Sequence, residues 1–225
     1  MEEKFKKIKE AVKKELSGSC SAHQMDHIVR VYNLSLKLAQ KERVDLGVLK
    51  AAALLHDIAR VKEDSDSTGK TDHAILGSQM AKPILKKLGF SQDKIKHIQS
   101  CIVSHRYRTG NEPETIEAKI LFDADKLDAM GAIGLARAFV WVGRNSAKIY
   151  SKPDFKKYIK NNLGGSVSGR IKNKTKHSPQ IEFKTKLKLL KNKLYTKKAK
   201  EFARERTEYF EKFLNRLEKE INGDI

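Results

Sequence analysis

Apolar residues fall three and four apart along most of this chain, and that spacing predicts helices. Phe5, Ile8, Val12 and Leu16 mark an amphipathic helix over 2–17, stopped by Ser17-Gly18-Ser19. A second helix runs from about Ala22 to Lys41, with Met25, Ile28, Val31, Tyr32, Leu34 and Leu38 on its apolar side. Asp45 is placed to cap a third, Leu46 to about Val61, whose stretch Ala51-Ala52-Ala53-Leu54-Leu55 is apolar enough to be buried. Lys62 to Thr71 has no apolar anchor and reads as a polar loop. Helix four runs from Asp72-His73 to Leu88 with Ile75, Leu76, Met80, Ile84 and Leu85 inward; helix five runs from the Ser91 cap to Ser104-His105. Helix six opens at Pro113-Glu114-Thr115 and ends in Asp125, and Gly131 to Gly143 is a glycine-punctuated helix. The pattern vanishes between Asn161 and Gln180, where Gly164, Gly165, Gly169 and interspersed lysines predict a flexible basic loop. A short helix follows at Phe183 to Leu194. Thr196 then caps a long one, with Ala199, Phe202, Ala203, Phe210, Phe213, Leu214, Leu217 and Ile221 as its buried stripe. No stretch reads as a period-2 strand, so the expected fold is all-α.

At 225 residues the chain is long enough for one well-buried core. It has no apolar run of the roughly 20 residues that cross a membrane, and its charged start lacks the apolar core of a signal peptide, so a cytoplasmic protein with no membrane partner is expected. Cys20 and Cys101 lack any CxxC spacing and read as free thiols. The net charge of +19 changes the picture more. Between Gly143 and Lys200 there are 18 lysines and arginines against only Asp154 and Glu182, so almost the whole excess belongs to one segment. Such a field favours anionic partners. The segment 143–200 is therefore a candidate for nucleic-acid binding, although few aromatics interleave with its lysines and base stacking is not expected. A solvated Lys-rich face is the plain alternative.

The most apolar helix ends in His56-Asp57, placing an imidazole and a carboxylate where a core normally holds neither. Buried polar groups need partners. A satisfied core histidine beside a capping aspartate would explain the dipeptide alone. The pair gains weight from His27 on the preceding helix and from Asp125 in Phe122-Asp123-Ala124-Asp125-Lys126-Leu127-Asp128. That order resembles the HD-domain superfamily of metal-dependent phosphohydrolases. Met25-Asp26-His27-Ile28-Val29-Arg30-Val31-Tyr32, Ala52-Ala53-Leu54-Leu55-His56-Asp57 and Asp123 through Gly134 are similar to the small bacterial and archaeal HD hydrolases that act on nucleoside triphosphates. The C-terminal Lys186-Leu187 through Arg206 and Phe213-Leu214 extend the resemblance, which spans about residues 20–217.

The resemblance implies a single HD-domain helical bundle with a C-terminal helical extension. Residues 1–19 would form an N-terminal helix packed on the core, 20–143 the metal-binding core, and 144–225 the basic loop and C-terminal helices completing the same domain. His27, His56, Asp57 and Asp125 would ligate a divalent ion. Two imidazoles and two carboxylates suit Mn²⁺, Co²⁺, Ni²⁺, Fe²⁺ or Mg²⁺ better than a thiolate-loving metal. Family members with two ions carry two further histidines, and His73 and His105 look like those two places. We assign them instead to phosphate binding or to orienting the attacking water, which favours one ion over two. Asp57, Lys126, His73 and His105 are thus the candidate catalytic residues, and Arg30, His73, His105, Lys126 and Asp128 the candidate substrate-binding ones. His23 can line the outer site, whereas His97 reads as structural and His177 carries little signal. One departure stands out: HD 5′-nucleotidases place a catalytic Glu one turn after the His-Asp pair, and here that position is Arg60, with Glu63, Asp64 and Asp66 following in the loop. The expected activity is metal-dependent hydrolysis of a phosphoanhydride bond in nucleotides, (deoxy)nucleoside triphosphates first. The same site can serve a cyclic or linear nucleotide phosphodiesterase, or remain a scaffold in an anion-binding protein. Trp141 and the long final helix are candidates for a homodimer face.

Overall fold

The spacing of apolar residues becomes helix throughout the computed structural model, which describes residues 1–17, 25–106, 110–167 and 169–225, with no strand among them. His23 and Cys20 lie outside the described residues. Two compact units follow one another along the chain, Met1–Asp125 and Lys126–Ile225.

In the first unit the apolar third helix sits at the centre. Helix α3 (Leu46–Leu55) packs against α1 (Glu2–Glu15), α2 (Met25–Ala39), α5 (His73–Lys87) and α6 (Gln92–Ser104). Helices on several sides require apolar residues all round, and Val48, Leu49 and Ala51 through Leu55 are all buried. Each buried leucine there contributes about 1.5–3 kcal/mol. The ends are set by side chains that satisfy free N–H groups. Asp45 accepts from Gly47 and Val48, Asp72 from Ala74 and Ile75, and Ser91 from Lys94. The buried face of α1 is the predicted Phe5, Ile8 and Val12.

The third helix is shorter than its periodicity predicts. It stops at Leu55, residues 56–59 form turns, and a separate helix α4 (Arg60–Ser65) follows where a loop was expected. The break is made by tight bonds, Ile58 N–H to the Leu55 carbonyl at 3.1 Å and Arg60 N–H to the Asp57 carbonyl at 2.9 Å. Helix α4 is held by Arg60, whose guanidinium reaches Glu63 at 2.9 Å and Asp64 at 3.2 Å, three and four residues on. Helix α7 (Ile116–Leu127) carries Asp125 in its last turn.

In the second unit α8 (Gly131–Arg144) packs on α12 (Lys197–Asn222) and on α10 (Pro179–Glu182). Thr196 caps α12 as expected, but the buried stripe is Ala199, Ala203, Thr207, Phe210 and Leu214; Phe213 and Ile221 are exposed. Two glycines shape the entry to α8. Gly131 has φ +68°, and a Cβ at Gly134 would stand 2.2 Å from the Ala129 carbonyl oxygen.

The segment expected to be a flexible loop is tied down. It begins in α9 (Phe155–Asn162), which the periodicity missed, capped by Asp154. The Asn162 side chain donates to the Asn173 carbonyl and accepts from its N–H, at 3.0 and 2.8 Å. His177 is buried, its Nδ1 2.8 Å from the Tyr158 hydroxyl and its Nε2 3.1 Å from Glu182 Oε2. Facing a carboxylate, Nε2 carries the proton, so Nδ1 accepts from Tyr158, whose oxygen accepts from Asn162 at 2.6 Å. Tyr158, Leu163 and Ile181 form a small apolar core beneath, and the Trp141 ring meets His177 edge-on at 5.3 Å.

Candidate metal centre

The turn after α3 does what a continuous helix cannot: it lets neighbouring residues aim at one place. His56 and Asp57 leave the end of α3 and are both buried, together with His27 from α2, His73 from the first position of α5 and His105 just past α6. Asp57 is the hub. Its Oδ2 lies 3.6 Å from His27 Nε2 and 3.9 Å from His56 Nε2, and its Oδ1 lies 3.3 Å from His73 Nε2 and 3.6 Å from His105 Nε2. Asp125 joins on the His27 side, with Oδ1 3.5 Å from His27 Nε2.

Hydrogen bonds set the ring tautomers. His56 Nδ1 lies 2.9 Å from the Ala53 carbonyl and His105 Nδ1 2.5 Å from the Ile102 carbonyl, each three residues back in its own helix. His73 Nδ1 lies 2.6 Å from Glu63 Oε2. All three acceptors require Nδ1–H, which leaves a lone pair on each Nε2. Arg60 Nη1 is also 3.2 Å from His73 Nδ1, but a bare nitrogen would not sit 2.6 Å from a carboxylate, so Arg60 donates to Glu63 instead.

The four Nε2 atoms then meet in two pairs. His56 Nε2 is 3.2 Å from His27 Nε2, His73 Nε2 is 3.3 Å from His105 Nε2, and Asp57 stands among them. Two groups result, His27-His56-Asp57 and Asp57-His73-His105, each with its ligand atoms within 4.8 Å of one another. Burial pushes the pKa of His56 down to about 4 against the partial opposition of Asp57. For Asp57 burial works upward, while His56, His105, His73 and His27 around it work downward, and the net direction is down. Nitrogen lone pairs and carboxylates without sulfur fit a borderline or hard divalent cation, and either group can hold one.

The remaining candidates are placed as follows. Arg30 is half-buried on α2 one turn after His27, and Lys126 is half-buried next to Asp125 on α7. Asp128 is buried and accepts from Arg137 Nη1 at 2.5 Å. His97 contacts Thr115 and Glu117, at 3.1 and 3.3 Å. The residue that sequence reasoning left unplaced is Glu63: besides His73 and Arg60, it takes Arg106 Nη2 on Oε1 at 2.8 Å. Burial raises its pKa, but the His73 hydrogen bond and the two guanidiniums bring it to about 2. The visible signal was its spacing of three from Arg60. No helix among the described residues is long and apolar enough to cross a membrane.

A family model described as HD domain matches residues 25–130. Over 209 residues, 92% of this chain and 89% of the relative, the sequence is 30% identical to the uncharacterized protein YpgQ of Bacillus subtilis strain 168. The crystal structure of B. subtilis YpgQ in complex with ADP superposes with a TM-score of 0.71 at 27% identity, covering 97% of this chain and 95% of that one. An HD-superfamily hydrolase from Bacillus thuringiensis superposes with a TM-score of 0.65 at 27% identity over 98% of each chain.

Proposed function

The chain belongs to the HD-domain superfamily, and from that membership we propose that it is a metal-dependent phosphohydrolase cleaving a phosphoanhydride bond of nucleotides, with (deoxy)nucleoside triphosphates as substrates. The observation that carries the reading is the convergence of four buried imidazole Nε2 atoms, from four elements, on the two oxygens of Asp57. The ADP held by B. subtilis YpgQ supports a nucleotide as the ligand.

When bound, a divalent ion such as Mn²⁺, Co²⁺, Ni²⁺, Fe²⁺ or Mg²⁺ lowers the pKa of water and polarises a phosphoryl oxygen. His27, His56, Asp57 and Asp125 hold it. Where the sequence favours a single ion, the Asp57-His73-His105 group repeats the donor set of the first, and this supports a second ion there in preference to direct phosphate gripping by the two histidines. Asp57 would serve both positions, since Oδ2 lies toward His27 and His56 and Oδ1 toward His73 and His105. Arg30 and Lys126 offset charge on the phosphates.

The test is hydrolysis of nucleoside mono-, di- and triphosphates and a bis(aryl) phosphodiester with each of these ions, wild type against Asp57→Ala. Release of pyrophosphate or phosphate from triphosphates, absent in the variant, is expected. Turnover of the phosphodiester alone would replace this reading with a phosphodiesterase.

A second reading is favoured by one observation. Lys156, Lys157, Lys160, Arg170, Lys172, Lys174 and Lys176 are all exposed, and no carboxylate lies in the sequence between Asp154 and Glu182. Such a face suits a phosphate backbone. Affinity for a single-stranded RNA would fall with a log–log salt slope of about −5 if all seven made contacts, and Lys172→Gln, Lys174→Gln and Lys176→Gln together would reduce that slope by about 2. Binding insensitive to both salt and these changes would remove the reading.

A further inference from the structure

His56 and His105 orient their rings locally. Each closes a helix, so the carbonyl three residues back is at a helix C-terminus and free to take Nδ1–H. His73 has no such carbonyl. It is the first residue of α5, preceded by the cap Asp72 and surrounded by N–H groups rather than carbonyls. Its ring must find an acceptor in another element, and the acceptor it finds is Glu63 of α4.

We propose that Glu63 is the positioning residue that makes His73 a ligand, by holding Nδ1–H and so turning the Nε2 lone pair toward Asp57 and His105. The arrangement is a carboxylate–histidine pair of the kind that fixes imidazole ligands at metal sites. It rests on the reading of Asp57-His73-His105 as an ion position.

Glu63 is itself held. Arg60 Nη1 sits 2.9 Å from Oε2 and Arg106 Nη2 2.8 Å from Oε1, and Arg106 continues to Asp72, the cap of α5, at 2.9 Å. The same guanidinium therefore ties the acceptor to the helix start that bears the histidine. Arg60 occupies the place where HD 5′-nucleotidases carry a catalytic Glu. Here the carboxylate enters three residues later on α4, with Oε2 shared by His73 and Arg60 and Oε1 taken by Arg106. Oε2, the oxygen that faces His73, already takes two donors, so Glu63 acts through His73 as a positioning residue.

The test uses the full chain, first without metal. With ¹⁵N-labelled histidine, long-range imidazole correlations of the wild type should report the Nδ1–H tautomer at His73, assigned by loss of the signal in His73→Gln. Glu63→Ala should move His73 toward the Nε2–H tautomer and leave His56 and His105 unchanged. Glu63→Gln, whose amide oxygen accepts the same hydrogen bond, should restore it. Should Glu63→Ala fail to fold, Glu63→Asp keeps the charge for both arginines while withdrawing the acceptor, and the same change at His73 is expected. An unchanged His73 tautomer in the variants overturns the proposal.

Manganese titration then separates the two ideas. Wild type should bind two ions, and Glu63→Ala should weaken one of them by about 10- to 100-fold while sparing the other. Two ions in wild type with both affinities unaltered in Glu63→Ala overturn the role of Glu63. A single ion in wild type overturns the second ion position, whereas the tautomer measurement still decides whether Glu63 orients His73.

Discussion

His56 carries a consequence that can be measured without any ion. Burial holds its folded pKa near 4, against an ordinary 6.5. As pH falls from about 6.5 to about 4, the unfolded chain takes up a proton here that the folded one refuses, so stability present above 6.5 is lost across this window. The loss is at most ~3 kcal/mol. Urea unfolding of the metal-free protein between pH 7.5 and 4 is expected to show it, and His56→Asn to flatten the slope. That His27, His56, Asp57 and Asp125 come together was legible in the sequence, because these residue types in a fixed order carry the resemblance without knowledge of geometry. Glu63 was not. Its partner lies ten residues on across a polar loop, and only the fold brings α4 back over the start of α5. For Asp128, expected as a substrate contact one turn after Asp125, the fold adds a partner that the sequence did not show, Arg137.

Among the elements, periodicity served best where a helix is long and has one neighbour face. Helix α1 buried its predicted residues, and Asp45, Ser91 and Thr196 capped the helices assigned to them. It failed at short elements. Helix α4 lacks an apolar stripe and is held by Arg60, Glu63 and Asp64; α9 has eight residues, of which only Tyr158 and Asn162 are buried. On α12 the apolar residues cover more of the circumference than its neighbours do, so Phe213 and Ile221 are left outside while Thr207 is inside. The junction into α8 gives the test at this scale. Gly134→Ala places a methyl against a backbone oxygen that cannot move aside without unwinding the turn. It is expected to cost about 1–3 kcal/mol, read from denaturant unfolding, whereas Gly143→Ala in the same helix, where a Cβ meets nothing within 4 Å, should stabilise by up to about 1 kcal/mol.

For the molecule as a whole, the proposed ion position would couple ligation to folding. The candidate ligands come from five elements of the first unit that meet only in the folded chain, so an ion bound there would stabilise it by mass action. Manganese at 100 times its dissociation constant should add about 2.7 kcal/mol, and for a chain of this size raise the melting temperature by roughly 5–10 °C. A chelator should reverse the rise, and Asp57→Ala should abolish it. All-α class and HD membership were legible from the full length. Two compact units were not, since the break at Asp125 falls inside a helix where composition does not change.

The anchoring of Asn173 by Asn162 also decides how the basic segment meets a protease. Seven exposed lysines and arginines between 156 and 176 offer trypsin abundant cleavage sites, but a protease needs several residues of extended backbone, which a pinned turn yields only when it opens. Brief digestion should spare this stretch in the wild type and cut it rapidly in Asn162→Ala, so that nicking here becomes a clock for the opening of the Tyr158–His177–Glu182 network.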